Sequence, residues 1–174
     1  MLKIAGGNTF TQADIHNGLI SYTHNGGEST TDRIIFTVAD GAGGVIGTTT
    51  FNIQVTPVND QPVLATKSPL TVIEGAADQV IGNTLLRVTD SDIGDVVTYT
   101  VTTVPSFGSL KRDGTILGKG DTFTQSDIDS SKLKYSHNGS ETTSDAFVFS
   151  VADKGGATLS ASTFTIVVTP VNDA

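Results

Sequence analysis

The feature that most constrains this chain is an internal repeat. Shifting the 174-residue sequence by 113 positions lays residues 1–61 on 114–174 without a gap, and 28 of the 61 aligned pairs are identical. Phe10-Thr11-Gln12 falls on Phe123-Thr124-Gln125, Tyr22 and His24-Asn25-Gly26 fall on Tyr135 and His137-Asn138-Gly139, and Thr56 to Asp60 falls on Thr169 to Asp173. Self-similarity at a fixed period is the signature of a repeat architecture. The period leaves one complete unit, 63–174, preceded by the C-terminal half of another, 1–57, with 58–62 as the linker. Pro57 and Pro62 flank that linker, and proline both ends a strand and restricts the residue before it. The expected organisation is an excerpt of a longer tandem array. A half unit without its first strands is expected to expose an unpaired edge and an uncovered apolar face. Three outcomes are open for it: partial disorder, a strand-swapped dimer, or docking against the complete unit.

Composition narrows the class. There is no cysteine, so disulfide staples and thiol chemistry are excluded. Ten basic residues against 18 acidic ones give a net charge of −8, the wrong sign for binding nucleic acid or an anionic membrane. No apolar run approaches the roughly 18 residues that span a bilayer, and no leader is expected in an excerpt.

The apolar pattern is that of strands. Alternation with period two runs through Phe147/Phe149/Val151, Phe164/Ile166/Val168 and Val97/Tyr99/Val101, and the half unit repeats it in Ile34/Phe36/Val38 and Phe51/Ile53/Val55. Further short strands are expected at 70–73, 83–89, 107–111 and 131–137. Asp113-Gly114, Asn138-Gly139 and Lys154-Gly155-Gly156 are turn signals, the first two suiting hairpin turns with positive φ. Thr124-Gln125-Ser126-Asp127 and Thr11-Gln12-Ala13-Asp14 predict one capped helical turn each. Seven to nine short strands with one-sided alternation predict an all-β fold, an antiparallel Ig-like sandwich.

The acids gather at strand ends. Asp90-Ser91-Asp92 and Asp95 follow one predicted strand, Asp153 closes another, and the linker supplies Asn59 and Asp60. If these loops share a pole, crowded carboxylates require either shifted pKa values or a bound divalent ion. An oxygen-only donor set points to Ca²⁺ rather than Zn²⁺ or Cu²⁺. The other pole would carry Glu74, Glu141 or Asp145, and Asp173, while Asp40 is the half-unit equivalent of Asp153. Asp and Asn are also ordinary turn residues, so a solvated turn is the competing reading at each place. The run from Asp90 is not an EF-hand, because Gly94 holds its fifth position and Val101 its twelfth, where a carboxylate is needed.

Val72-Ile73-Glu74-Gly75, Val88-Thr89-Asp90-Ser91-Asp92, Val151-Ala152-Asp153 and Pro57-Val58-Asn59-Asp60-Gln61-Pro62 resemble the calcium motifs of cadherin-type repeats. Pro105-Ser106-Phe107-Gly108-Ser109-Leu110 and Phe123-Thr124-Gln125-Ser126-Asp127-Ile128, followed by Tyr135-Ser136-His137, resemble more narrowly the repeats of the chondroitin-sulfate-proteoglycan type, found in bacterial surface adhesins and animal matrix proteins. The resemblance implies a rod of sandwiches clamped by Ca²⁺ outside the cell or at its surface. Asp90, Asp92 and Asp153 would hold an ion with a carbonyl from Asn59, and Asp60 would bridge to a second ion. Pro57 and Gln61 depart from the family pattern, which implies fewer ions per joint.

The remaining signals carry less. His24 and His137 recur after a strand Tyr and are expected to bond a loop carbonyl. Gly41 to Gly44 reads as a hairpin tip rather than a phosphate cradle, since no helix pattern follows. No nucleophile elbow or triad pattern is present, and without Trp there is no aromatic sugar platform, so an enzyme is not expected. The expected role is a structural or adhesive module whose partners are neighbouring repeats. The alternatives are a module that binds a glycan or a surface protein, and an accessory domain of an exported enzyme.

Overall fold

A computed structural model describes residues 8–172. The chain divides into two compact units, Met1–Val55 and Thr56–Ala174. In the first unit, helix α1 (Gln12–His16) precedes a hairpin of strands β1 (Thr31–Ala39) and β2 (Val45–Gln54). Thr11 caps α1 through a capping box with Asp14.

The second unit contains β3 (Val63–Lys67), β4 (Leu70–Ile73), β5 (Gln79–Val80), β6 (Leu86–Thr89), β7 (Thr98–Thr103), β8 (Gly108–Arg112), β9 (Thr115–Ile116), β10 (Thr122–Thr124), α2 (Gln125–Asp129), β11 (Leu133–His137), β12 (Ser144–Ala152) and β13 (Thr158–Thr169). One sheet has the order β10-β7-β12-β13-β4 and a second has β5-β11-β8-β9, with β3 and β6 forming a separate ribbon. All neighbours are antiparallel except β13 and β4. Both sheets contribute to one core, so the unit is a sandwich.

Alternation decides which face is buried. In β12, Phe147, Phe149 and Val151 point inward, and Phe164, Ile166 and Val168 do the same in β13. Phe147 meets Phe164 at 5.1 Å between ring centroids, and Tyr99 stacks on Phe123 at 4.7 Å. Such aromatic pairs contribute beyond the area they bury.

The structure corrects the sequence expectations in several places. Eleven strands are present in the described part of the second unit rather than seven to nine, because β3, β5, β9 and β10 are too short or too polar for a period to show. The strand expected from 83 begins at Leu86, because Leu85 and Leu86 donate back to Gly82 O in a turn. Asp113-Gly114 does form a tight hairpin turn, with φ of 50° and 83°. Asn138-Gly139 does not: it lies on the crossing from β11 in one sheet to β12 in the other.

The first unit carries the same alternation without the burial. None of its described residues is buried, and Phe51, the counterpart of the fully buried Phe164, is 59% exposed.

Candidate metal centre

Three segments of the second unit meet at one pole: the linker before β3, the loop after β6, and the turn between β12 and β13. There the structure brings together Asp90, Asp95 and Asp153, whose carboxylate oxygens lie within 4.8 Å of one another. Backbone amides aim each one. Asp90 Oδ1 accepts from Asp92 N at 2.9 Å, and Asp95 Oδ1 accepts from Val96 N at 2.8 Å and Lys154 N at 3.0 Å. Asp153, only 7% exposed, accepts from Ala157 N at 2.8 Å and from the Asn59 side-chain amide at 3.0 Å. Asp90 Oδ2 is buried and has no hydrogen-bond partner.

Unit charges of one sign about 4 Å apart repel by about 4 kcal/mol at an effective dielectric near 20. The Lys111–Asp78 ion pair is formed elsewhere. A set of fixed oxygens with one buried lone-pair atom unpaired fits a hard divalent cation such as Ca²⁺.

The linker is seated by the same pole. Asp92 Oδ2 accepts from Asp60 N at 2.8 Å, so this carboxylate holds the linker backbone rather than joining the cluster. Gln61 donates from its side-chain amide to Thr158 O. Asn59 lies against Gly155, where an added Cβ would be 1.6 Å from Asn59 Oδ1. Gly155 is a site residue that the sequence reading treated only as a turn. Its one visible signal is the Gly-Gly pair following an acid. An open groove of about 360 Å³ beside the cluster is lined by Pro57, Val58, Ile93 and Lys154 among others.

The other candidates are dispersed. Asp145 is buried and accepts four hydrogen bonds: Ser106 N at 2.9 Å and Ala146 N at 2.8 Å on Oδ1, Phe107 N at 3.0 Å and the Tyr135 hydroxyl at 2.8 Å on Oδ2. That is about the full complement of an ionised carboxylate. Burial, and then Asp145 as a bonded and charged neighbour, push the Tyr135 phenol above its ordinary 10.0. Glu74 Oε2 accepts from Val171 N at 3.1 Å, and its Oε1 is buried without a partner. Glu141 is exposed in the loop before β12, and Asp173 lies outside the described residues. Asp40 sits in the first unit's hairpin turn, where the Ala42 and Gly44 amides hold its carboxyl below the usual carboxylate value.

His137 accepts rather than donates at its loop contact. Its Nδ1 takes Gly75 N at 3.1 Å and Gly139 N at 3.2 Å, and Nε2 meets Thr142 Oγ1 at 3.1 Å. The expected bond to a loop carbonyl is replaced by loop amides.

Comparison with known proteins follows the same division. A family model described as cadherin-like matches residues 2–55 and again 62–168. Human extracellular matrix organizing protein FRAS1 is 34% identical over 149 residues, covering 83% of this chain and 4% of its own length. Human FRAS1-related extracellular matrix protein 2 is 34% identical over 177 residues, 89% of this chain and 6% of its own. Mouse chondroitin sulfate proteoglycan 4 is 34% identical over 134 residues, 75% of this chain and 6% of its own. The chain therefore spans only a small part of the length of these relatives.

Proposed function

The chain belongs to the cadherin-like family, and on that premise we propose that it is an extracellular structural and adhesion module whose acidic pole binds Ca²⁺ to stiffen the joint at its linker. The observation that carries the reading is the convergence of Asp90, Asp95 and Asp153 around an unpaired buried oxygen, with Asn59 of the linker bonded to Asp153. Asp95 takes the place that the family resemblance gives to Asp92. The ion would offset two of the three carboxylate charges and tie the loops that seat the linker, so that the joint keeps one angle. Relatives named as extracellular matrix proteins favour a structural role over an enzymatic one.

The test is a thermal melt with Ca²⁺ titrated against chelator. Affinities of extracellular modules are about 10⁻⁴–10⁻³ M, and a ligand at 100 times its Kd adds about 2.7 kcal/mol. For a unit of this size that raises Tm by about ten degrees. Asp90→Ala and Asp95→Ala lose the response, whereas Asp92→Ala keeps it. A wild-type Tm unmoved by Ca²⁺ would return these acids to the role of turn residues.

A further inference from the structure

All three histidines of the chain stand directly before an Asn-Gly pair, as His16-Asn17-Gly18, His24-Asn25-Gly26 and His137-Asn138-Gly139. An Asn followed by Gly can close a five-membered ring between the Gly nitrogen and the Asn side-chain carbonyl carbon, because glycine puts no Cβ in the way. The same tripeptide thus occurs three times, and only the surroundings can make one copy react faster than another.

Those surroundings differ. The Gly139 amide donates to His137 Nδ1 at 3.2 Å. The Gly75 amide donates to the same nitrogen at 3.1 Å, so Nδ1 carries no proton, and the protonated Nε2 faces Thr142 Oγ1 at 3.1 Å. Asn138 Oδ1 accepts from Ser140 N at 3.0 Å and from Ser140 Oγ at 2.7 Å. The loop closed by the first of these bonds contains both Asn138 Cγ and Gly139 N. A basic nitrogen therefore sits on the proton of the nucleophile, and two donors sit on the oxygen where charge develops. Asn138 and Gly139 are exposed, so water reaches them. At the second copy the arrangement is weaker: His24 Nδ1 accepts from Gly26 N at 3.3 Å, and Asn25 Oδ1 accepts from Gly27 N at 3.0 Å, where residue 27 brings no hydroxyl. At the third it is missing, because Gly18 N donates to Ile15 O at 3.0 Å rather than to an imidazole.

We propose that residues 137–140 are a self-modifying site that converts Asn138 to aspartyl and isoaspartyl residues through a succinimide. Gly139 N bonds to Asn138 Cγ while His137 Nδ1 takes its proton as general base. The Ser140 amide and hydroxyl stabilise the charge on Oδ1 as an oxyanion hole does. The Cγ–Nδ2 bond then breaks, and Nδ2 leaves as ammonia with the proton that His137 took. Water opens the ring at either carbonyl, so the balance is a water consumed and an ammonia released. Each turnover adds a negative charge to the crossing from β11 to β12. The inference is independent of the metal centre.

The test incubates the chain at neutral pH, native and unfolded in guanidinium, and follows all three Asn residues by peptide mapping that separates aspartyl from isoaspartyl products. A well-placed general base contributes about 10²-fold or more, so Asn138 is expected to convert at least about tenfold faster in the native than in the unfolded chain. Asn17 gains nothing from folding. Ser140→Ala keeps the residue-140 amide and slows Asn138 by on the order of tenfold, with Asn17 and Asn25 unchanged. His137→Gln, whose side chain can still accept the Gly139 amide, removes the native advantage. The wild-type comparison stands even if that variant fails to fold. An Asn138 that converts no faster in the native than in the unfolded chain overturns the inference. So does an aspartyl product without isoaspartyl, the mark of direct hydrolysis without a ring.

Discussion

Replacing Asp145 by Ala separates a structural anchor from a metal ligand. The carboxylate ties the β12 start to the 106–107 loop and to the Tyr135 hydroxyl through four bonds of 2.8–3.0 Å. Tyr135 is fully buried, so its hydroxyl would keep only the long 3.5 Å contact to Phe107 O, whereas the amides of the more exposed Ser106 and Phe107 can turn to water. A hydrogen bond to a charged group contributes about 1.5–3 kcal/mol, and a stranded buried donor costs about 1–3 kcal/mol. Losing the charge-assisted bond and weakening the buried phenol's bonding together cost about 3–5 kcal/mol. At about 4 °C per kcal/mol, Tm of the second unit falls by about 12–20 °C. Tyr135→Phe removes one donor and loses about 1.5–3 kcal/mol. The assay is differential scanning calorimetry in Ca²⁺ and in chelator, and the two losses should match. A large loss in Ca²⁺ with little in chelator would refute the anchor and make Asp145 a ligand.

Three further outcomes follow from the geometry. Gly155→Ala drives Asn59 off Asp153, since its Cβ would overlap Asn59 Oδ1; amide exchange at residues 59–61 should rise and Tm fall by about 1.5–3 kcal/mol in equivalent stability. Burial raises the folded pKa of both Tyr99 and Tyr135 above the unfolded 10.0, so their contribution is complete below that value and is lost as pH rises toward the folded values. Alkaline melts should therefore fall steeply above about pH 10, and less steeply in Tyr135→Phe. Lys111 depresses the carboxyl of Asp78, so that pair's contribution is present above the ordinary carboxylate range and fades as pH falls through the lowered value. Lys111→Ala should melt like wild type in about 0.5 M salt, where screening acts over a few Å.

Period-two alternation made the inward rows of β7, β12 and β13 legible, because burial on one face of a strand is written every second residue. The capping boxes at Thr11 and Thr124 were legible for a similar reason, as their partners lie three residues away. The metal pole was legible in outline only. Which of Asp92 and Asp95 joins Asp90 depends on the Asp60 amide, 32 residues from Asp92, and on Lys154 N, 59 residues from Asp95. Spacing carries no such information. In the sequence Asp145 stands only as an alternative to Glu141 at the other pole, and the crossing of β11 to β12 is what puts it against Tyr135. The two-residue strands β5 and β9 are held by their neighbours and have no pattern of their own.

The central claim is that one Ca²⁺ sits among Asp90, Asp95 and Asp153. Titrating Ca²⁺ to about 10 mM, well above the 10⁻⁴–10⁻³ M of extracellular modules, while following backbone amide resonances tests it directly. Saturable shifts confined to residues 59–61, 90–96 and 153–157 are predicted. No shift in these segments, or saturable shifts at Glu74 and Val171 alone, would contradict the claim.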